Sequence, residues 1–252
     1  RPLGVAFLFL RSTTWLSAAD LPSAPPAELG LDAAVLAEIP AKMNELVARQ
    51  RVAGVVTLVV RKGRTVAYDA VGMADIENGR KMQKDSMFWI ASMTKPIAAT
   101  SVMILVDEKK LSLDDPASKY IPSFKKAKLK NGQPPAREIT IRDLLSHTSG
   151  LSAPPRLPSD LSTPLRRYAD DLIQQPLDFE PGSQYKYGFG LTVAGAIVEV
   201  VSGKPYERFI DERIFQPLGM RDTTFHPNKE QRQRMATTYR QSYDKRGLTP
   251  AI

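Results

Sequence analysis

Between Pro96 and Asp107 the chain offers a helix almost no polar side. Ile97, Val102, Ile104, Leu105 and Val106 are interleaved with alanines. A helix apolar around most of its circumference is stable only when the rest of a domain wraps it. The segment therefore predicts a buried helix. Pro96 fits its first turn, where a missing N–H has no intrahelical partner to lose. A residue before proline leans towards extended geometry, which puts Lys95 at the boundary between the run Phe88–Ile90 and the helix.

Ser92 stands three residues before Lys95, at this boundary. If the turn is helical, both lie on one face. A serine hydroxyl is a weak nucleophile until a base takes its proton. A lysine is that base only when neutral, and burial and the positive end of the helix dipole both disfavour its charge. The same N-terminus offers backbone N–H groups to a developing oxyanion. Three other Ser-x-x-Lys pairs lack the setting. Ser123/Lys126 opens the solvated basic stretch Lys125–Lys130, Ser183/Lys186 follows the turn Pro181-Gly182, and Ser242/Lys245 lies in a polar tail. Taken locally, Ser92 and Lys95 also read as a helix cap followed by a surface lysine.

Several segments now combine. The run Phe88–Pro96 resembles the nucleophile segment of the serine β-lactamase-like superfamily, in the branch of class C β-lactamases, D-alanyl-D-alanine peptidases and family VIII esterases. Leu111–Pro116 with Lys119–Pro122, the segment Ile139–Leu151, Pro181-Gly182 leading to Tyr187, and Ser202–Tyr206 through Ile214–Met220 are similar to that branch in the same order. The resemblance covers roughly Leu31 to Phe225. It implies Ser92 as nucleophile, with its backbone N–H as half of an oxyanion hole, Lys95 as its base partner and Tyr187 as a second general base. A tyrosine serves there only if nearby positive charge lowers its pKa, and Lys95 is the source. Tyr185 competes on sequence alone; the family frame favours Tyr187.

Two departures shape the substrate expectation. The β-lactamases and peptidases of the branch carry an asparagine two residues after the tyrosine, whereas this chain has Phe189, which makes no hydrogen bond. That moves the expectation towards the esterases. The third motif of the family, Lys-Thr-Gly or His-x-Gly, is absent; the only histidine after Tyr187 is His226, in an unrelated context. The resemblance thus predicts a C-terminally incomplete domain whose last sheet strands are missing, and a chain poorly stable or inactive alone.

The expected fold is α+β: the β-lactamase-like (DD-peptidase/transpeptidase) fold, an antiparallel sheet with flanking helices plus a mainly helical subdomain. Residues 1–26 read as a signal-peptide remnant and linker: the apolar Leu3–Leu10 is followed by small residues and prolines, is too short to span a bilayer and is interrupted by Arg11. Export to the periplasm or cell exterior is the expectation from it; if the segment is an ordinary chain terminus, the location is cytoplasmic. Residues 27–90 hold a helix from Pro40 to Gln50 and a hairpin, with strands Gly54–Arg61 and Thr65–Tyr68 about a Lys62-Gly63 turn. Residues 91–230 form the helical subdomain with Ser92, Lys95 and Tyr187. Within it Thr140 and Asp143 read as a capping pair, Leu191–Val201 as an apolar helix ended by Gly203, and Pro205–Phe215 as another helix. Residues 231–252 begin the truncated C-terminal part.

No cysteine and two histidines leave no basis for a structural zinc site. No cofactor or metal is expected. There is no Gly-x-Ser-x-Gly elbow or phosphate loop. His147, in Ser-His-Thr-Ser-Gly, invites a Ser-His reading but belongs to a segment the family uses structurally. The net charge of +8, from 35 basic and 27 acidic residues, suits an anionic partner. Its one dense patch, Lys125–Lys130, lacks interleaved aromatics and reads as a solvated loop; no nucleic acid and no stable membrane span are expected, and the oligomeric state stays open. The expectation is a serine hydrolase working through an acyl-enzyme on a small-molecule ester. A class C β-lactamase or D-alanyl-D-alanine peptidase on a β-lactam-like substrate is the alternative, and a non-catalytic penicillin-binding relative the second.

Overall fold

A computed structural model of the chain describes residues 21–152, 164–242 and 247–251. The Leu3–Leu10 run and Lys245 lie outside these residues. The chain divides into two compact units, one drawn from the stretches up to Trp89 and from Pro217 onward, the other Ile90–Gln216. Residues 217–230, expected with the helical part, thus group with the sheet.

In the first unit, helix α1 spans Ala33–Ala48. It starts seven residues earlier than expected. Asp32 caps it, accepting from Ala34 N–H at 2.8 Å, and good helix formers follow; Pro40 is accommodated inside. Strand β1, Gly54–Arg61, runs antiparallel to β2, Arg64–Asp75. Lys62 and Gly63 join them with φ of 50° and 71°, the positive values a two-residue hairpin turn demands. A short β3, Arg80–Lys81, pairs with the other edge of β2, and α1 packs on β2. Residues 21–26 are not a free linker: Ala24 N–H donates to Thr65 O at 3.1 Å and Thr65 N–H to Pro22 O at 3.0 Å. Backbone groups at a sheet edge find partners when a neighbouring segment can reach them. Helix α7, Lys229–Arg234, is closed by a capping box between Asn228 and Gln231. In the C-terminal part, where the sequence around Ser242 reads as a polar tail, lies a small antiparallel ladder, β4 (Tyr239–Gln241) with β5 (Leu248–Pro250).

The second unit holds the main apolar cluster. Helix α2 spans Thr94–Asp107. It buries Ala98, Ser101, Val102 and Leu105, the i, i+3, i+4, i+7 stripe of one face, while Met103 is 39% exposed. The helix buried nearly all round is instead α5, Gly190–Ser202, whose buried residues include Leu191 and Val193–Val198. Helices α2, α3 (Ile141–Leu145), α4 (Leu165–Leu172) and α6 (Tyr206–Ile210) all pack against it. Gly203 ends α5 in the left-handed conformation, φ 68°. The expected helix Pro205–Phe215 is α6 followed by a π-type turn, Asp211–Phe215. Lysines 125, 126, 128 and 130 are exposed, but Phe124 just before them and Ala127 among them are buried.

Candidate active site

Ala91 turns the chain into the site. Its φ of 43° lies in the left-handed region, which costs an alanine on the order of 1 kcal/mol. A 3₁₀ turn, Ala91–Met93, follows, with Met93 N–H donating to Ile90 O at 2.9 Å. Ser92 therefore sits in the turn that leads into α2, exposed, and the half-buried Lys95 is already helical. Lys95 is helical although a proline follows it, and Pro96 itself, at the third helical position, loses no intrahelical bond because the first turn requires no N–H there. Lys95 Nζ donates to Ser92 Oγ at 3.1 Å.

Tyr187 comes from the loop between Pro181 and α5 and meets this pair. Lys95 Nζ is 4.6 Å from its ring centroid. Hydrogen bonding from Lys95, then from Ser92, holds the phenol pKa below its ordinary value, and the lysine charge acts in the same direction. The structure thus brings Ser92, Lys95 and Tyr187 together. Tyr185, 68% exposed, stands edge-on to the His147 ring at 5.9 Å. Phe189 turns inward, its ring 6.2 Å from that of Tyr168 in a T-shaped pair; no side-chain amide is offered at that position.

Two of the other Ser-x-x-Lys pairs have their serines bonded elsewhere. Ser123 Oγ donates to Asp170 at 2.6 Å. Ser183 Oγ donates to Glu180 O at 2.7 Å, and Lys186 pairs with Asp178.

His147 is the residue the sequence did not place here. It lies in the loop after α3 with φ 60°. Its ring is 4.7 Å from that of Tyr187, tilted by 36°, and its Nδ1 accepts from Gly188 N–H at 3.3 Å. Burial, then the Lys95 charge, keeps its pKa below the ordinary histidine value. The loop rests on buried Asp143, which accepts from Arg137 at 2.6 and 2.9 Å, from Thr140 N–H at 2.9 Å and from Thr148 Oγ1 at 3.1 Å. Burial opposes the Asp143 charge, but the Arg137 and Thr140 bonds outweigh it and its pKa is lowered. The 147–150 and 178–188 segments are then zipped together by Gly182 N–H to Thr148 O (2.8 Å), Asp178 N–H to Gly150 O (2.7 Å) and Lys186 N–H to His147 O (2.9 Å).

Among the described residues no helix is long and apolar enough to cross a membrane. A family model described as Beta-lactamase matches residues 39–251. Esterase EstB of Burkholderia gladioli is 38% identical over 218 residues, 81% of this chain and 55% of that protein. The D-alanyl-D-alanine-carboxypeptidase/endopeptidase AmpH of Escherichia coli K12 is 34% identical over 193 residues, 73% of this chain and 48% of its own length. Among solved structures, EstCE1, described as a hydrolase with promiscuous acyltransferase activity, superposes with a TM-score of 0.77 at 30% identity, over 86% of this chain and 59% of that one. The chain spans about half the length of the curated relatives it matches.

Proposed function

The chain belongs to the Beta-lactamase family, with its α+β fold, and from that premise we propose that it is a serine hydrolase acting on small acyl esters through an acyl-enzyme. The observation that carries the reading is Lys95 Nζ at 3.1 Å from Ser92 Oγ, with the Tyr187 ring centroid 4.6 Å from the same Nζ.

In this reading Ser92 Oγ attacks the ester carbonyl carbon while its proton passes to the Lys95–Tyr187 pair. The tetrahedral oxyanion is met by the Ser92 backbone N–H in the turn before α2. The proton then goes from Tyr187 to the departing alkoxide, releasing the alcohol and leaving the acyl group on Ser92. Water, deprotonated by the same pair, attacks the acyl carbon, releases the acid and returns the proton to Ser92. The inward-turned Phe189 supports an ester over an amide substrate, because nothing there pairs with a substrate amide N–H or C=O. Similarity to EstB agrees. Similarity to AmpH supports the second reading, a peptidase or β-lactamase.

Intact mass after a fluorophosphonate probe tests the reading, with Ser92→Ala as control. One adduct on the wild type and none on the variant is expected, followed by sustained release of p-nitrophenol from p-nitrophenyl acetate. An unlabelled wild type would sink the activated serine. Labelling with a single burst and no turnover would favour a penicillin-binding relative that is acylated but does not release.

A further inference from the structure

Residues 186–188 are attached to His147 at three points. The His147 carbonyl accepts from Lys186 N–H at 2.9 Å. Its Nδ1 accepts from Gly188 N–H at 3.3 Å. Its ring lies against the Tyr187 ring, with centroids 4.7 Å apart. Two of these attachments belong to the side chain, and the bonds at Lys186 and Gly188 bracket Tyr187.

Tyr187 needs such a hold. Residues 182–187 are all exposed, and Tyr187 itself is 52% exposed. A side chain on an open loop has little packing to fix its rotamer, and a misplacement of about 1 Å at a reacting group can cost on the order of a hundredfold in rate. His147 is well fixed. Its φ of 60° is a conformation histidine adopts more readily than most residues, and Thr148 N–H donates to Asp143 O at 2.9 Å just beyond it. An acceptor Nδ1 requires the neutral tautomer with its proton on Nε2.

We propose that His147 is a positioning residue: it clamps the Tyr187 segment so that the phenol hydroxyl stays within reach of Lys95 and Ser92. This rests on the reading of Tyr187 as proton carrier given above. In this role His147 acts through Tyr187 and exchanges no proton with substrate.

Two substitutions suit the left-handed backbone and separate the roles. His147→Gly removes ring and acceptor without adding strain. His147→Asn keeps a side-chain acceptor in place of Nδ1 and tolerates the same φ. Two readouts are taken on each: the ultraviolet titration of the Tyr187 phenol, by difference from Tyr187→Phe, and the rate of acylation by the fluorophosphonate. In His147→Gly the phenol is expected to titrate closer to its ordinary value and acylation to fall at least tenfold, while His147→Asn recovers most of both. A phenol titration unmoved in His147→Gly overturns the proposal. So does loss of the cooperative melt in both variants, which would make His147 a folding residue. If the wild type is not acylated but the titration responds as described, the clamp stands and the hydrolase reading falls. If the wild type is acylated and the titration is indifferent to His147, the hydrolase reading stands and the clamp falls.

Discussion

The α-carbon of Gly190 lies against the carbonyl of Leu144, so close that a β-carbon there would be 2.3 Å from the oxygen and 3.0 Å from the carbonyl carbon. Gly190 opens α5 three residues after Tyr187, and Leu144 lies in α3 three residues before His147. One backbone contact therefore sets how closely the two loops of the site approach. In Gly190→Ala both backbones must part, an overpacking worth about 1–3 kcal/mol. The melting temperature should drop by several degrees, and acylation of Ser92 should fall further than the lost stability explains, since His147 and Tyr187 move apart. A variant that melts and acylates like the wild type would show that the contact does not govern the site.

The phenol of Tyr187 is held below its ordinary pKa of 10.0, first by the hydrogen bond from Lys95. A phenolate is the basic form, so acylation should rise with pH through that lowered pKa and level off above it. Lys95→Met removes the leading cause, and its Tyr187 should titrate near the ordinary value. Tyr187→Phe should lose the rising limb altogether and about 10²–10⁴-fold of the rate. Spectrophotometric titration and a pH–rate profile read the two effects separately. An unshifted phenol in Lys95→Met would disconnect the two residues.

Local signals carried much of this site. Ser92 and Lys95 meet within one turn, and the capping pair Thr140–Asp143 and the Gly203 stop also act within a few residues of themselves. The bounds of β1 follow from a run of mostly β-branched residues, Val55–Val60, ended by a two-residue turn. Tyr187, 92 residues beyond Lys95, was reached through resemblance to a family rather than through any local pattern. What stayed hidden depends on distant partners. His147 meets Gly188 across 41 residues, and nothing in Ser-His-Thr-Ser-Gly announces it. Helices α2 and α5 are both strongly apolar, and only the packing of α2, α3, α4 and α6 on α5 makes the latter central. Asp32 is a legible cap, but Pro40 masks it, because a proline inside a helix reads as a start.

Asp178 ties the site's second loop to the rest of its unit. It pairs with Lys130 at 2.7 Å and with Lys186, the residue before Tyr187, and its N–H donates to Gly150 O at 2.7 Å. The Lys130 bond first, then the Lys186 bond, lowers its carboxyl pKa from 3.8 to about 2. Between these two values the unfolded chain binds a proton that the folded one does not, so acid favours unfolding there. The contribution is fully present above about pH 4 and disappears as the pH falls through about 2. Asp178→Asn should therefore be less stable than the wild type at neutral pH, with the gap closing in acid. Both lysines are more than half exposed, at 66% and 55%, so added salt should narrow the gap at neutral pH as well. Urea unfolding at pH 7 and near pH 2, each at low and high salt, measures this. A gap that stays constant across that pH range would mean that the carboxylate charge contributes nothing to holding the loop.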